Sequence, residues 1–170
     1  MELRITTIVG MIVFAALTRL LPHPPNFTAV SALALFAGAQ LADRRLALLA
    51  PLAALFLTDL VLGLHQGMLL VYGCVAIMVL VGGLLGPQGS VLRTAGAALA
   101  GSVLFFGVTN FGVWAFDGLY APTLAGLAAC YVAAVPFFQN AVAGDLFFTA
   151  ALFGGLALLR RSVPALSPAR

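Results

Sequence analysis

The chain has 170 residues, of which 63% are hydrophobic and only 8% charged, and its mean hydropathy is +1.14. That balance excludes a water-soluble globular domain and points to an all-α integral membrane protein. The net charge of +3 comes from eight arginines and no lysine, a surplus that membrane topology accounts for without nucleic acid as a partner.

A helix needs ~20 mostly apolar residues to cross a hydrocarbon core, so the length admits about six or seven crossings in a single transmembrane domain, 1–170. The stretch Ile5 to Leu21 has no small-residue cleavage site and runs into Arg19 and Pro22, and is read as a retained helix 1 over 5–21. Helix 2 is expected at 28–42, after the proline cluster Pro22-His23-Pro24-Pro25, and helix 3 at 46–62, after Asp43-Arg44-Arg45. Gly63 to Gly67 separates helix 3 from helix 4 at 68–86, and Pro87 to Ser90 precedes helix 5 at 92–116. Helix 6 is placed at 136–160, because Pro136 is expected to part it from the apolar stretch 123–135, a loop helix too short to span.

Six spans put every arginine except Arg19 on one side: Arg4, Arg44, Arg45, Arg93, Arg160, Arg161 and Arg170. The positive-inside rule then makes both termini cytoplasmic. No internal repeat is visible.

Polar residues gather in the outer half. Arg19 ends helix 1, Asp59 ends helix 3, Asn110 lies late in helix 5, and Gln139 and Asn140 open helix 6. His23, His65 and Asp117 fall in the outer loops, and Asp145 lies deepest, ~13 Å into helix 6. Ionisable groups at this depth need a partner or a role, and their confinement to one half predicts an outward-facing cavity rather than a channel. Arg19 paired with Asp59 or Asp145 would equally serve to lock the bundle. His23 and His65 also suit solvated loops, and Trp114, Phe116 and Tyr120 suit an interfacial aromatic belt. Cys74 sits at cavity depth in helix 4 between the small residues Gly73 and Ala76, where it is either a core hydrophobe or a thiol open to a bulky ligand. Cys74 and Cys130 could form one disulfide at most, and neither has metal-finger spacing.

Several segments resemble the substrate-binding S-components of energy-coupling-factor (ECF) vitamin transporters, and in particular the BtuM-type cobalamin transporters. They are Pro24-Pro25-Asn26-Phe27-Thr28, Leu57-Thr58-Asp59-Leu60, Val71-Tyr72-Gly73-Cys74, Thr109 to Trp114, and Pro136 to Asp145. The resemblance spans nearly the whole chain and implies a six-transmembrane-helix bundle of the bacterial inner membrane that takes up cobalamin. Its binding residues would be Cys74, His23, Asn26, Asp59, His65, Tyr72, Asn110, Asn140 and Asp145. Cobalamin would be the transported ligand, with no intrinsic cofactor. Cys74 would be the axial cobalt ligand, a soft donor suited to the metal, with His23 or His65 as the fallback. Strong donation from below weakens the bond to the upper axial group, so slow loss of cyanide from cyanocobalamin would be a secondary chemistry of Cys74 in what is primarily a transporter.

Helix 1 departs from the pattern. The Ala-x-x-x-Ala-like stripe that docks S-components on their energising module is missing, since Phe14 follows Gly10 at four residues and Arg19 follows Ala15. This argues against the usual ECF partner. No Walker A loop is present either, so the chain itself does not hydrolyse ATP. Two alternatives stand beside cobalamin uptake. One is an S-component-like transporter for another small vitamin or amide-bearing metabolite, and the other a small membrane redox protein using Cys74 and Cys130.

Overall fold

A computed structural model describes residues 2–167. The described residues form six α-helices and no strand: α1 Glu2–Leu17, α2 Val30–Gln40, α3 Arg44–Leu62, α4 Met68–Leu85, α5 Val91–Phe116 and α6 Leu124–Ser162. Short 3-10 turns at Thr18–Leu20 and Pro164–Leu166 extend α1 and follow α6. Five of the helices are long and apolar enough to cross a membrane, and α2 is the exception.

With only 11 residues, α2 is ~16 Å long, about half a hydrocarbon core. It forms the centre of the bundle, touching each of the other five helices. Ten of its residues are buried, from Val30 to Gln40 with the exception of Gly38, which fits a helix apolar all round and enclosed by others. Its closest neighbour is α4. A methyl group on Gly38 would overlap the Val79 carbonyl, and one on Gly82 would overlap the Leu35 carbonyl. Reciprocal glycines thus bring the two backbones together, the small-residue packing by which membrane helices gain dispersion contacts.

The hydrogen bonds sort the helix ends. Arg4 at the start of α1 donates to the Gln40 carbonyl oxygen at 2.7 Å, and Arg160 near the end of α6 donates to Gln40 Oε1 at 2.7 Å. Arg160 also reaches the Pro87 carbonyl between α4 and α5. Both guanidiniums therefore sit at the C-terminal, negative end of the α2 dipole, where a cation stabilises the unpaired carbonyls. Asp43 caps α3 at the same end, accepting from the Arg45 and Leu46 amides. This end carries Arg4, Arg44, Arg45, Arg93, Arg160 and Arg161; Arg170 lies outside the described residues. At the opposite end, Arg19 after α1 meets Asp59 late in α3.

One expected boundary is corrected. The stretch 123–135 is not a separate loop helix but the first part of α6, which runs through Pro136 without a break. Contacts to α5 on both sides of the proline hold it in line. Tyr131 donates to the Gly107 carbonyl at 2.6 Å, Cys130 Sγ to the Asn110 carbonyl at 3.4 Å, and Phe106 packs on both Tyr131 and Phe138. A proline is tolerated inside such a helix when neighbouring elements compensate for the lost backbone bond. Helix 2 is likewise shorter than the expected 28–42, because Pro24 to Phe27 form a turn that delays its start.

Candidate functional site: a cavity at the arginine-poor end

The Pro24–Phe27 turn shapes the floor of the site. Asn26 has a positive φ of 64°, a conformation asparagine tolerates better than other side-chain-bearing residues, and the Phe27 amide closes the turn onto the Pro24 carbonyl at 3.0 Å. Asn140 on α6 donates to the Pro25 carbonyl at 3.0 Å. Gly144 lets the Phe27–Thr28 backbone lie directly against α6, and Phe27 packs on Phe147 and Phe148. The start of α2 is thereby pinned beside Gly144 and Asp145, deep between the other helices.

Above it opens a cavity of about 1000 Å³. Its polar wall includes Arg19, Asn26, His65, Asn110, Asp117 and Asp145, with Thr28 from the segment before α2, Ser31 from its first turn and Thr109 from α5. Apolar surface comes from Leu70 and Val71 of α4, Phe105 and Val113 of α5, and Leu119. Toward the arginine-rich end, buried α2 residues such as Leu33, Leu35 and Phe36 close the floor.

Arg19 is held rigidly. Its guanidinium lies 2.8 Å from Asp59 Oδ1, with side chains 13% and 2% exposed, and also donates to Thr58 Oγ1 and the Leu55 carbonyl. Tyr72 donates to Asp59 Oδ2 at 2.7 Å. Asp59 thus has both oxygens engaged and supports the cavity through Arg19. Asp145 is not the partner of Arg19. It accepts a hydrogen bond from the Ser102 hydroxyl at 2.6 Å, and Ser31 in the first turn of α2 lines the cavity with it. The amino end of α2, which has no side-chain cap, places the positive pole of a helix dipole beside it.

Of the nine binding residues expected from sequence, Asn26, His65, Asn110 and Asp145 line the cavity. Asp59 and Tyr72 stand behind its wall, and Asn140 secures the turn that forms its floor. His23 is exposed in its loop, with Nδ1 2.9 Å from the Pro24 carbonyl. Cys74 is 2% exposed and does not line the cavity. It lies one turn further into α4 than the wall residues Leu70 and Val71, enclosed among the helices. Cys74 and Cys130 are both free and buried.

Residues 1–166 match the model of a family described as a family of unknown function (DUF6580). The chain belongs to that family. No curated protein and no solved structure gives a significant match.

In this DUF6580 protein the cavity presents acceptors, donors and one guanidinium around a mixed apolar and polar wall, the usual make-up of a small-molecule pocket. Among the described residues, no three His, Cys, Asp or Glu side chains gather as a metal site. The donors on the wall are His65, Asp117 and Asp145, of which His65 is the one imidazole. Sequence reasoning missed Ser31, Ser102 and Thr109. Their only sequence signal is a hydroxyl at the depth of a buried acid, since hydroxyls inside apolar helices are common and bond locally to their own backbone.

Proposed function

We propose that this DUF6580 protein takes up cobalamin across the bacterial inner membrane as a six-span, S-component-like transporter with both termini in the cytoplasm. The observation that carries the reading is the cavity at the arginine-poor end, about 1000 Å³ with eight helices, turns and loops contributing to its wall. That volume is at the top of the range for small-molecule sites, ~300–1,000 Å³, as a corrinoid requires. The arginine-rich end supplies the orientation, because it is the end retained in the cytoplasm. α2 crosses with the help of the extended segment before it, in the manner of a discontinuous helix whose backbone lines a cavity instead of lipid.

The usual energising module is not expected to dock. Of the small residues of α1, Ala15 and Ala16 are buried in the chain's own core, and the exposed Gly10 is followed one turn later by Phe14, 72% exposed. Purifying the protein from cells grown with cyanocobalamin and recording its visible spectrum tests the reading. A bound corrinoid with bands shifted from those of the free vitamin is the expected result, and protein free of corrinoid would refute it.

One observation favours a second reading. Because Cys74 is buried and off the cavity wall, cobalt ligation by that thiol requires side-chain movement, whereas a metal-free, amide-bearing vitamin would use Asn26, Asn110, Arg19 and Asp145 as they stand. Ligation by His65 and ligation by Cys74 are separated by the spectra of His65→Ala and Cys74→Ser proteins, and the metal-free reading predicts that neither substitution changes binding.

A further inference from the structure

Among the described residues the one ion pair is Arg19–Asp59, which leaves Asp145 without a cation. Its side chain is 4% exposed and yet forms part of the cavity wall. A carboxylate halfway through a bilayer is expensive and marks an ion or substrate pathway unless it is compensated. The Ser102 hydroxyl of α5 bonds it at 2.6 Å, and Ser31 of α2 lines the same cavity.

A second observation points the same way. Thr149 lies one turn from Asp145 on the same face of α6, is 5% exposed, and its hydroxyl has no hydrogen-bond partner. Other helical hydroxyls here return to the carbonyl four residues earlier, as Thr7 does to Leu3 and Thr109 to Phe105. A buried hydroxyl that forgoes this bond signals a bound water or ion. Carboxylate and hydroxyl oxygens are hard donors, and a single negative charge balances a monovalent cation, whereas divalent ions draw on more carboxylates.

We infer that Asp145, Ser102, Ser31 and Thr149 form a sodium site on the cavity floor, loaded from the cavity side. Its role as the coupling ion rests on the transport reading, but the site itself is tested without any corrinoid. The amino end of α2 stabilises the carboxylate when sodium has left, so loaded and empty states are both tolerated in the membrane. The remaining charged or titratable groups of the cavity, Arg19, His65 and Asp117, form no ion pair with Asp145.

The experiment follows the unfolding temperature of the purified, corrinoid-free protein as sodium chloride replaces choline chloride at fixed ionic strength and pH. Sodium should raise it saturably, as any ligand of the folded state does, and potassium far less. Asp145→Asn should abolish the response, and Thr149→Val should move the sodium midpoint several-fold higher while unfolding as the wild type does in choline. Should Asp145→Asn fail to fold, Thr149→Val and Ser102→Ala carry the test. No difference between sodium and choline, or unchanged midpoints in both hydroxyl variants, would overturn the inference. So would a response to acidification alone that Asp145→Asn removes, which would assign the carboxylate to a proton. Failure to bind corrinoid would count against the transport reading and leave a sodium response standing.

Discussion

Arg19 and Asp59 join the ends of α1 and α3 through a 2.8 Å ion pair at the wall of the cavity, and Tyr72 of α4 bonds the carboxylate's second oxygen. Three helices therefore converge on one buried carboxylate. Breaking such a pair by removing one partner leaves the other uncompensated and costs about 3–5 kcal/mol. Asp59→Asn should lower the thermal stability of the purified protein sharply, and Arg19→Gln with Asp59→Asn should recover part of the loss. Additive losses in the double variant would show that the two side chains are not energetically coupled.

The contact between α2 and α4 makes an equally specific prediction. Gly38 and Gly82 abut opposing carbonyls, while a methyl group on the adjacent Gly83 would come no closer than 3.9 Å to any neighbour outside its own turn. Backbone cannot give way as a flexible side chain can, so Gly82→Ala or Gly38→Ala should force the helices apart at a cost on the order of 3 kcal/mol or more. Gly83→Ala should be neutral or slightly stabilising, since alanine is the better helix former. Size-exclusion profiles and unfolding temperatures of the three variants distinguish the outcomes, and equal behaviour of Gly82→Ala and Gly83→Ala would contradict the packing.

The long apolar runs made α1, α3, α4 and α5 legible to within a few residues, because hydropathy and breakers act locally. α2 and α6 were harder for opposite reasons. The turn at Asn26 that shortens α2 depends on Asn140 and Gly144, more than a hundred residues away, and Pro136 reads as a breaker until α5 is present to hold both sides of it. The depth of the polar residues indicated a cavity at one end. It could not say that Asp145 looks to Ser102 rather than to Arg19, since partner choice follows from helix rotation, nor that Cys74 would be buried off the cavity wall.

Topology can be checked independently of any ligand. With Arg4, Arg44, Arg45, Arg93, Arg160 and Arg161 at one end of the bundle, reporter fusions after Ser162 should report a cytoplasmic location, as should fusions in the loop 86–90. Fusions near residue 120 should report the opposite side. A periplasmic C-terminus would mean that α2 does not cross, and would remove the orientation on which uptake from outside depends.

Cys74 gives the most discriminating chemical test, because its thiol is enclosed one turn beyond the wall residues Leu70 and Val71. In a Cys130→Ser background, a membrane-impermeant thiol reagent should label Cys74 slowly. Leu70 packs so closely on Gly112 that any side chain added there would displace it, so Leu70→Ala should open a route from the cavity to the sulfur and raise the labelling rate at least severalfold. Gly112→Ala, which pushes Leu70 off its seat, should act in the same direction. If cobalamin is the ligand and Cys74 its axial donor, bound vitamin should protect the thiol from the reagent in the Leu70→Ala protein, and Cys74→Ser should abolish the spectral shift while leaving the unfolding temperature unchanged. Rapid labelling of the Leu70-intact protein would show that the thiol is already open to the cavity. Labelling that stays slow in both variants would show that Leu70 is not what covers it, and would turn the search for a cobalt ligand to His65.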